Sequence, residues 1–302
     1  MKKLVLIILL LVPLYSFSIK PDTVYSCYPN VYGLIFKEFR VKTYDNVIIN
    51  AWFYPAQDTL PLDSVKFYFE NRQMMRPFSS TDTLQKPTII ICNGDAGNMS
   101  QLIGYAYQLC TRGFNVVTFD WRGFGGSQKW NYDKDLLVSE TFISDYNAII
   151  DTVINLKTVN PHKIGAFGFS TGAYISFLVF EKRIEIKALA CRGMFTSYAE
   201  ALDNLKHIFP NRKFHYPTLF DSNDYSAKFI ASNISKPIFL IVGCDDDRTP
   251  PKMSIELLTS INSSIRELWI VDKAAHGGVE APEVVDYINF YNRISRFYKE
   301  NL

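Results

Sequence analysis

Five consecutive residues, Gly168-Phe169-Ser170-Thr171-Gly172, constrain this chain more than any others. They follow Lys163-Ile164-Gly165-Ala166-Phe167, which reads as a short buried strand, and precede Ala173 to Phe180, which is long and apolar enough for a core helix. A strand that turns abruptly into a helix brings the residues two before and two after the corner close together, so both must be small. Gly168 and Gly172 meet that demand. Ser170 then stands at the apex with a strained backbone and an exposed hydroxyl, a candidate nucleophile. A chance match to the bare pattern need not sit at a strand-to-helix corner; this one does.

The elements around the corner predict an α/β architecture. An antiparallel pair, Ile35 to Val41 and Val47 to Tyr54, turns at Tyr44-Asp45-Asn46. Pro55 to Lys86 is polar and irregular and reads as a long loop, with a candidate strand at Val65 to Phe69. Strands then alternate with helices: strand Thr88 to Cys92, helix Met99 to Arg112, strand Asn115 to Phe119, helix Leu136 to Leu156, strand Lys163 to Phe169, helix Thr171 to Phe180, strand Ile186 to Ala190. After a gap come strand Ile238 to Val242, helix Pro250 to Ser260, strand Leu268 to Val271 and a closing helix from Pro282 to Tyr298. Such alternation implies a mostly parallel central sheet covered by helices on both faces, with its chemistry outside the carboxyl ends of the strands.

The gap from Arg192 to Ser235 interrupts the alternation and is rich in aromatics, among them Phe195, Tyr198, Phe209, Phe214 and Phe220, with a helix expected over Tyr198 to Ile208. A connection this long is more often functional than idle, and it is expected to form a lid-like insertion, 192–235, above the carboxyl edge.

Composition bounds the partners. With 302 residues, 48% hydrophobic and 21% charged, the chain can bury one large core or two small ones. A net charge of +2 from 32 basic and 30 acidic side chains offers no broad surface to nucleic acid. At the start, Met1-Lys2-Lys3 is basic, Leu4 to Tyr15 is almost wholly apolar, and Ser16-Phe17-Ser18 supplies small residues before a cut after Ser18. This has the form of a signal peptide, 1–18, leaving residues 19–302 as the mature domain, exported to the periplasm or secreted. The apolar run is shorter than the roughly 20 residues a membrane span needs, so membrane contact is expected only if the leader is retained. Five scattered cysteines lack metal-ligand spacing; Cys92 and Cys191 read as small buried hydrophobes.

A serine nucleophile needs a base, usually histidine held by a carboxylate. Of four histidines, His162 precedes the strand leading to Ser170 and so lies at its far end, while His207 and His215 fall in the insertion. His276 follows the last strand and shares the carboxyl edge with Ser170. Asp245, Asp246 and Asp247 follow strand Ile238 to Val242 on that same edge, and any of them could orient the histidine or cap the helix that begins near Thr249-Pro250.

Taken together, Asn93 to Ser100, Asp120 to Ser127, the Gly168 to Gly172 corner, Gly243 to Pro250 and Ala275-His276-Gly277 resemble, in order, the motifs of the α/β-hydrolase fold family, and within it the BEM46-like serine hydrolases. The resemblance covers the chain from about Ile35 to the end. It implies that Ser170 is the nucleophile, His276 the base and Asp246, rather than its neighbours, the acid. It further implies an oxyanion hole formed by the backbone N–H groups of Asp95 and Thr171. The family usually has histidine where this chain has Asn93, and often a neutral residue where it has Asp95, so the Asp95 carboxylate is expected to turn away from the oxyanion. The Asp120 to Ser127 run is expected to be structural. The activity implied is hydrolysis of a small-molecule ester or thioester with an apolar acyl or aryl group, without metal or cofactor. Amide cleavage by an aminopeptidase or amidase, or a catalytically silent binding protein, are the alternatives.

Overall fold

The computed structural model describes residues 18–59, 78–80 and 85–302. The expected leader falls outside them except for Ser18, as does the candidate strand Val65 to Phe69. In chain order the strands are β1 (Lys20–Pro21), β2 (Lys37–Lys42), β3 (Ile48–Tyr54), β4 (Gln57–Thr59), β5 (Phe78–Ser80), β6 (Lys86–Cys92), β7 (Ala96–Gly97), β8 (Asn115–Phe119), β9 (Val159–Phe169), β10 (Ile186–Arg192), β11 (Ile238–Gly243) and β12 (Arg266–Val271). The longer helices are α1 (Ile103–Cys110), α2 (Thr141–Val153), α3 (Thr171–Lys182), α4 (Tyr198–Ile208), α5 (Pro251–Ser260) and α6 (Tyr287–Asn301).

Among the described residues the main sheet has eight strands in the order β12-β11-β10-β9-β6-β8-β3-β2. Every pairing from β12 through β8 is parallel, and β3 and β2 add antiparallel to one side. The apolar strands are buried on both faces, and successive residues enter different cores. Ile90, Val117, Leu189 and Leu240 pack beneath α2, α3 and α5, whereas Ile89, Val116, Ala190 and Phe239 pack beneath α1 and α6. A strand buried on both sides reads as a continuous apolar run, which is why these strands are visible in the sequence. Helix α3 lies deepest: Thr171 through Phe180 are all buried, as an all-apolar helix requires.

Several boundaries differ from expectation. The helix expected from Leu136 starts at Thr141, because Leu136 bridges to His215 and the Leu137 N–H donates to the His215 carbonyl, so this backbone is committed to the insertion. The segment expected as helix Met99 to Arg112 opens with a 3-10 turn, Met99–Leu102, capped by the Asn98 side chain. The closing helix breaks at Asp286 into Pro282–Val285 and α6. Within the expected loop 55–86, β4 and β5 pair antiparallel.

The run Asp120 to Ser127 is tied down from several directions. The fully buried Arg122 guanidinium donates to Asp145 and Asp45, each at 2.6 Å. Removing one partner of such a buried pair typically costs about 3–5 kcal/mol. A strap from Ile19 to Tyr25 closes the same side: the Ile19 N–H donates to the Leu136 carbonyl, β1 pairs in parallel with β7, and the Tyr25 hydroxyl donates to Asp120 at 2.5 Å.

Candidate active site

Adjacent strands end in register on one edge: Cys92 opposes Gly168, Arg192 opposes Phe169 and Ile241, and Gly243 opposes Val271. The loops leaving β6, β9, β10, β11 and β12 therefore converge, and every residue expected to do chemistry lies on them.

Ser170 sits between β9 and α3 at φ +53°, ψ −122°, a conformation L-residues rarely adopt and which costs about 1–3 kcal/mol unless the surroundings enforce it. They do. Its N–H donates to the Arg192 carbonyl at 2.9 Å. A Cβ on Gly168 would lie 2.5 Å from the Gly172 carbonyl oxygen, and one on Gly172 would lie 2.2 Å from that of Asn93. Only glycine fits either place.

His276 is brought to Ser170 by the turn after β12. Its Nε2 lies 3.1 Å from Ser170 Oγ, and its Nδ1 lies 2.8 Å and 3.0 Å from the two carboxylate oxygens of Asp246. His276 and Asp246 are only 4% and 3% exposed, so water competes little for these bonds. Burial opposes ionisation of Asp246, but His276 and hydrogen bonds from Thr249 outweigh it and hold the carboxyl below its ordinary range. The Arg248 and Thr249 N–H groups and the Thr249 hydroxyl all donate to this carboxylate. An ionised Asp246 can only accept, so Nδ1 carries the proton and Nε2 offers its lone pair to the Ser170 hydroxyl. Asp245 and Asp247 line the cavity and make no hydrogen bond to His276. Of the other histidines, His162 is exposed near the amino end of β9's apolar stretch, and His207 and His215 are exposed on the insertion.

The loop after β6 forms the facing wall. Asn93 closes this loop on itself: its Oδ1 accepts from the Gly94 N–H and its Nδ2 donates to the Ala96 carbonyl. Trp121 Nε1 donates to the Asn93 and Gly94 carbonyls, and the Lys20 N–H donates to the Asp95 carbonyl at 2.7 Å. Thr171 opens α3, where the first amides have no acceptor within the helix. Asp95 and Thr171 both line the cavity that Ser170 and His276 enter. Burial pushes the Asp95 carboxyl up to about 7, against a hydrogen bond from its own backbone N–H and the pull of the Arg248 charge.

The cavity encloses about 840 Å³. Part of its lining comes from the 192–235 segment, with Phe195, Tyr198, Ala201 and Leu205 contributing. Phe195 stacks on Tyr174 of α3 at 4.5 Å, and Tyr198 packs edge-on against both rings, so this covering is anchored to the helix that carries the serine corner.

Three contributions were missed in the sequence. Arg192, buried at the end of β10, donates to the His276 carbonyl at 2.6 Å and to Glu283 at 2.9 Å, and lies 3.7 Å over the Phe169 ring. An arginine ending an apolar strand on this edge was a usable signal. Thr249 was read only as part of a helix start, although its spacing from Asp246 suits a hydroxyl returning to the carboxylate. The strap from Ile19 to Tyr25 carries no motif and gave no signal.

Comparison with known proteins agrees with this fold. Residues 87–217 match the model of the alpha/beta hydrolase fold family. The chain is 29% identical over 269 residues to the uncharacterized protein YfhR of Escherichia coli K12, covering 83% of this chain and 90% of that one. It is likewise 29% identical over 226 residues to an uncharacterized protein of Mycobacterium tuberculosis, covering 74% and 73%. Among solved structures, the Pyrococcus furiosus esterase Pf2001 superposes with a TM-score of 0.70 at 20% identity, over 93% of this chain and 99% of that one. A puromycin-hydrolyzing peptidase of Mycobacterium tuberculosis superposes with a TM-score of 0.65 at 14% identity, over 89% of this chain and 39% of that one.

Proposed function

The chain has the α/β-hydrolase fold, and from that premise we propose that it is a serine hydrolase that cleaves a small carboxylic ester, thioester or amide through an acyl-enzyme on Ser170. The carrying observation is the unbroken chain of hydrogen bonds from Ser170 Oγ through His276 to Asp246. Ser170 Oγ attacks the carbonyl carbon as His276 Nε2 takes its proton, forming a tetrahedral adduct whose oxyanion is held by the N–H groups of Asp95 and Thr171. Loss of one such donor typically costs about 2.7–4 kcal/mol of transition-state stabilisation. The adduct collapses, the leaving group departs with the proton from His276, and a water activated by the same imidazole releases the acid. Asp246 keeps the imidazole in the required tautomer and stabilises its cation.

Phe195, Leu137 and Leu205 on the cavity lining support an apolar acyl or aryl portion in the substrate. The insertion acts as the lid of this cavity, the domain proper runs from 19 to 302, and the leader directs the chain out of the cytoplasm. Sequencing the amino terminus of the exported protein tests the last point, with Ile19 expected. The activity is tested on purified protein with aryl esters, an acyl thioester and peptide amides. Turnover that disappears in Ser170→Ala is expected, and no turnover of any of them would favour a silent binding protein.

A further inference from the structure

The cavity walls are more acidic than the chain as a whole. Among the described residues lining it, Asp22, Asp95, Asp245, Asp247 and Glu280 face two cations, Lys20 and Arg248, in a chain whose net charge is +2. One of these carboxylates differs in kind from the rest: Asp95 belongs to the loop whose amide is assigned to the oxyanion, in the cavity that Ser170 and His276 also line. Tyr198 lines the same cavity, is only 2% exposed, and carries a hydroxyl with no close hydrogen-bond partner; the charges and dipoles of Thr171 and Asp95 act on it. A buried hydroxyl left without a firm partner is destabilising, and an ionised carboxylate beside a developing oxyanion works against catalysis. A single kind of ligand relieves both: a cation that also donates hydrogen bonds.

We propose that Asp95 and Tyr198 form a subsite for a substrate ammonium group close to the scissile carbonyl, so that the preferred substrates are aminoacyl esters or amides and peptides with a free amino terminus. This deepens, and rests on, the serine hydrolase reading above. An ammonium has donors for both the carboxylate and the phenolic oxygen, and its charge cancels the repulsion between Asp95 and the oxyanion. The carboxyl, held up to about 7 by burial, is drawn into its ionised form by the arriving cation. The groups around it are Arg248 from the loop after β11, Tyr198 from α4 and Lys20 from β1, with His276 lining the same cavity.

The test compares L-alanyl and N-acetyl-L-alanyl p-nitrophenyl esters on the full purified chain at pH 7. The free amine is expected to be preferred in kcat/KM by about tenfold or more, the scale of a hydrogen bond to a charged group. That ratio is expected to fall toward one in Asp95→Asn and to fall partway in Tyr198→Phe; because it is a ratio, a general loss of activity cancels from it. A second readout needs no turnover: labelling of Ser170 by a fluorophosphonate is expected to be slowed by L-leucinamide more than by its N-acetyl form. Equal or better use of the acetylated ester, or a preference that survives in Asp95→Asn, overturns the subsite. Absence of labelling altogether overturns the serine hydrolase reading instead.

Discussion

Arg192 and His276 are joined side chain to backbone: the guanidinium donates to the His276 carbonyl at 2.6 Å, while its other arm is held by Glu283 at 2.9 Å. The turn that presents the imidazole to Ser170 is therefore fixed to the end of β10, whose Arg192 carbonyl also accepts from the Ser170 N–H. One residue positions both ends of the proton path.

Replacing Arg192 by alanine should accordingly lower kcat far more than it changes KM, because no substrate-facing group is removed. It should also destabilise the fold by about 3–5 kcal/mol, since Glu283 is left largely buried without its partner. Urea denaturation and steady-state kinetics on Arg192→Ala and Arg192→Lys check this, with lysine restoring part of both losses.

Asp246→Asn should reduce kcat on the order of 10⁴-fold, the scale seen when another serine hydrolase loses the tautomer control of its carboxylate. The same carboxyl ties stability to pH. Its folded pKa lies below the unfolded one, so its contribution is present above about pH 4 and is lost as pH falls through the folded value. Thermal melts should show the wild type losing more stability than Asp246→Asn as acid is added.

Asp95 has the opposite sign. Its folded pKa, up to about 7, exceeds the unfolded value near 4, so ionisation is harder in the folded state and stability declines as pH rises between the two. Asp95→Asn should melt above the wild type at pH 8, and the gap should close at pH 4. Melting curves at the two pH values check the sign.

Asn98 ties the loop after β6 to the strap. Its Nδ2 donates to the carbonyls of Asp22 and Val24, and its Oδ1 accepts from the Ser100 N–H. Asn98→Ala should cost about 1–2 kcal/mol through loss of the cap alone, and should lower kcat by loosening the wall that carries the Asp95 amide. Chemical denaturation and kinetics on one aryl ester measure both.

The alternating strands and helices were legible because a doubly covered parallel sheet writes its strands as apolar runs: Asn115–Phe119 and the helix Tyr198–Ile208 coincide with their expected bounds. The serine corner was legible because backbone crowding leaves only glycine at 168 and 172. Spacing alone left Asp245, Asp246 and Asp247 open; likeness to a family picked Asp246, and this is the one that meets His276. What stayed hidden depends on distant partners. The start of α2 was misplaced because residues 136 and 137 pair with His215 nearly eighty positions away, and the strap at Ile19 to Tyr25 is held by backbone bonds to residues 95, 97 and 136 and by the distant side chains of Asn98 and Asp120. Arg192 was passed over because its partners, His276 and Glu283, come together only in the folded chain.

The most direct measurement of the central claim is peptide mapping by mass spectrometry after treating the purified protein with a fluorophosphonate. The account predicts a single adduct on Ser170, with labelling abolished in Ser170→Ala and strongly slowed in His276→Ala. An adduct on another serine, or labelling of Ser170 that proceeds equally fast without His276, would contradict it.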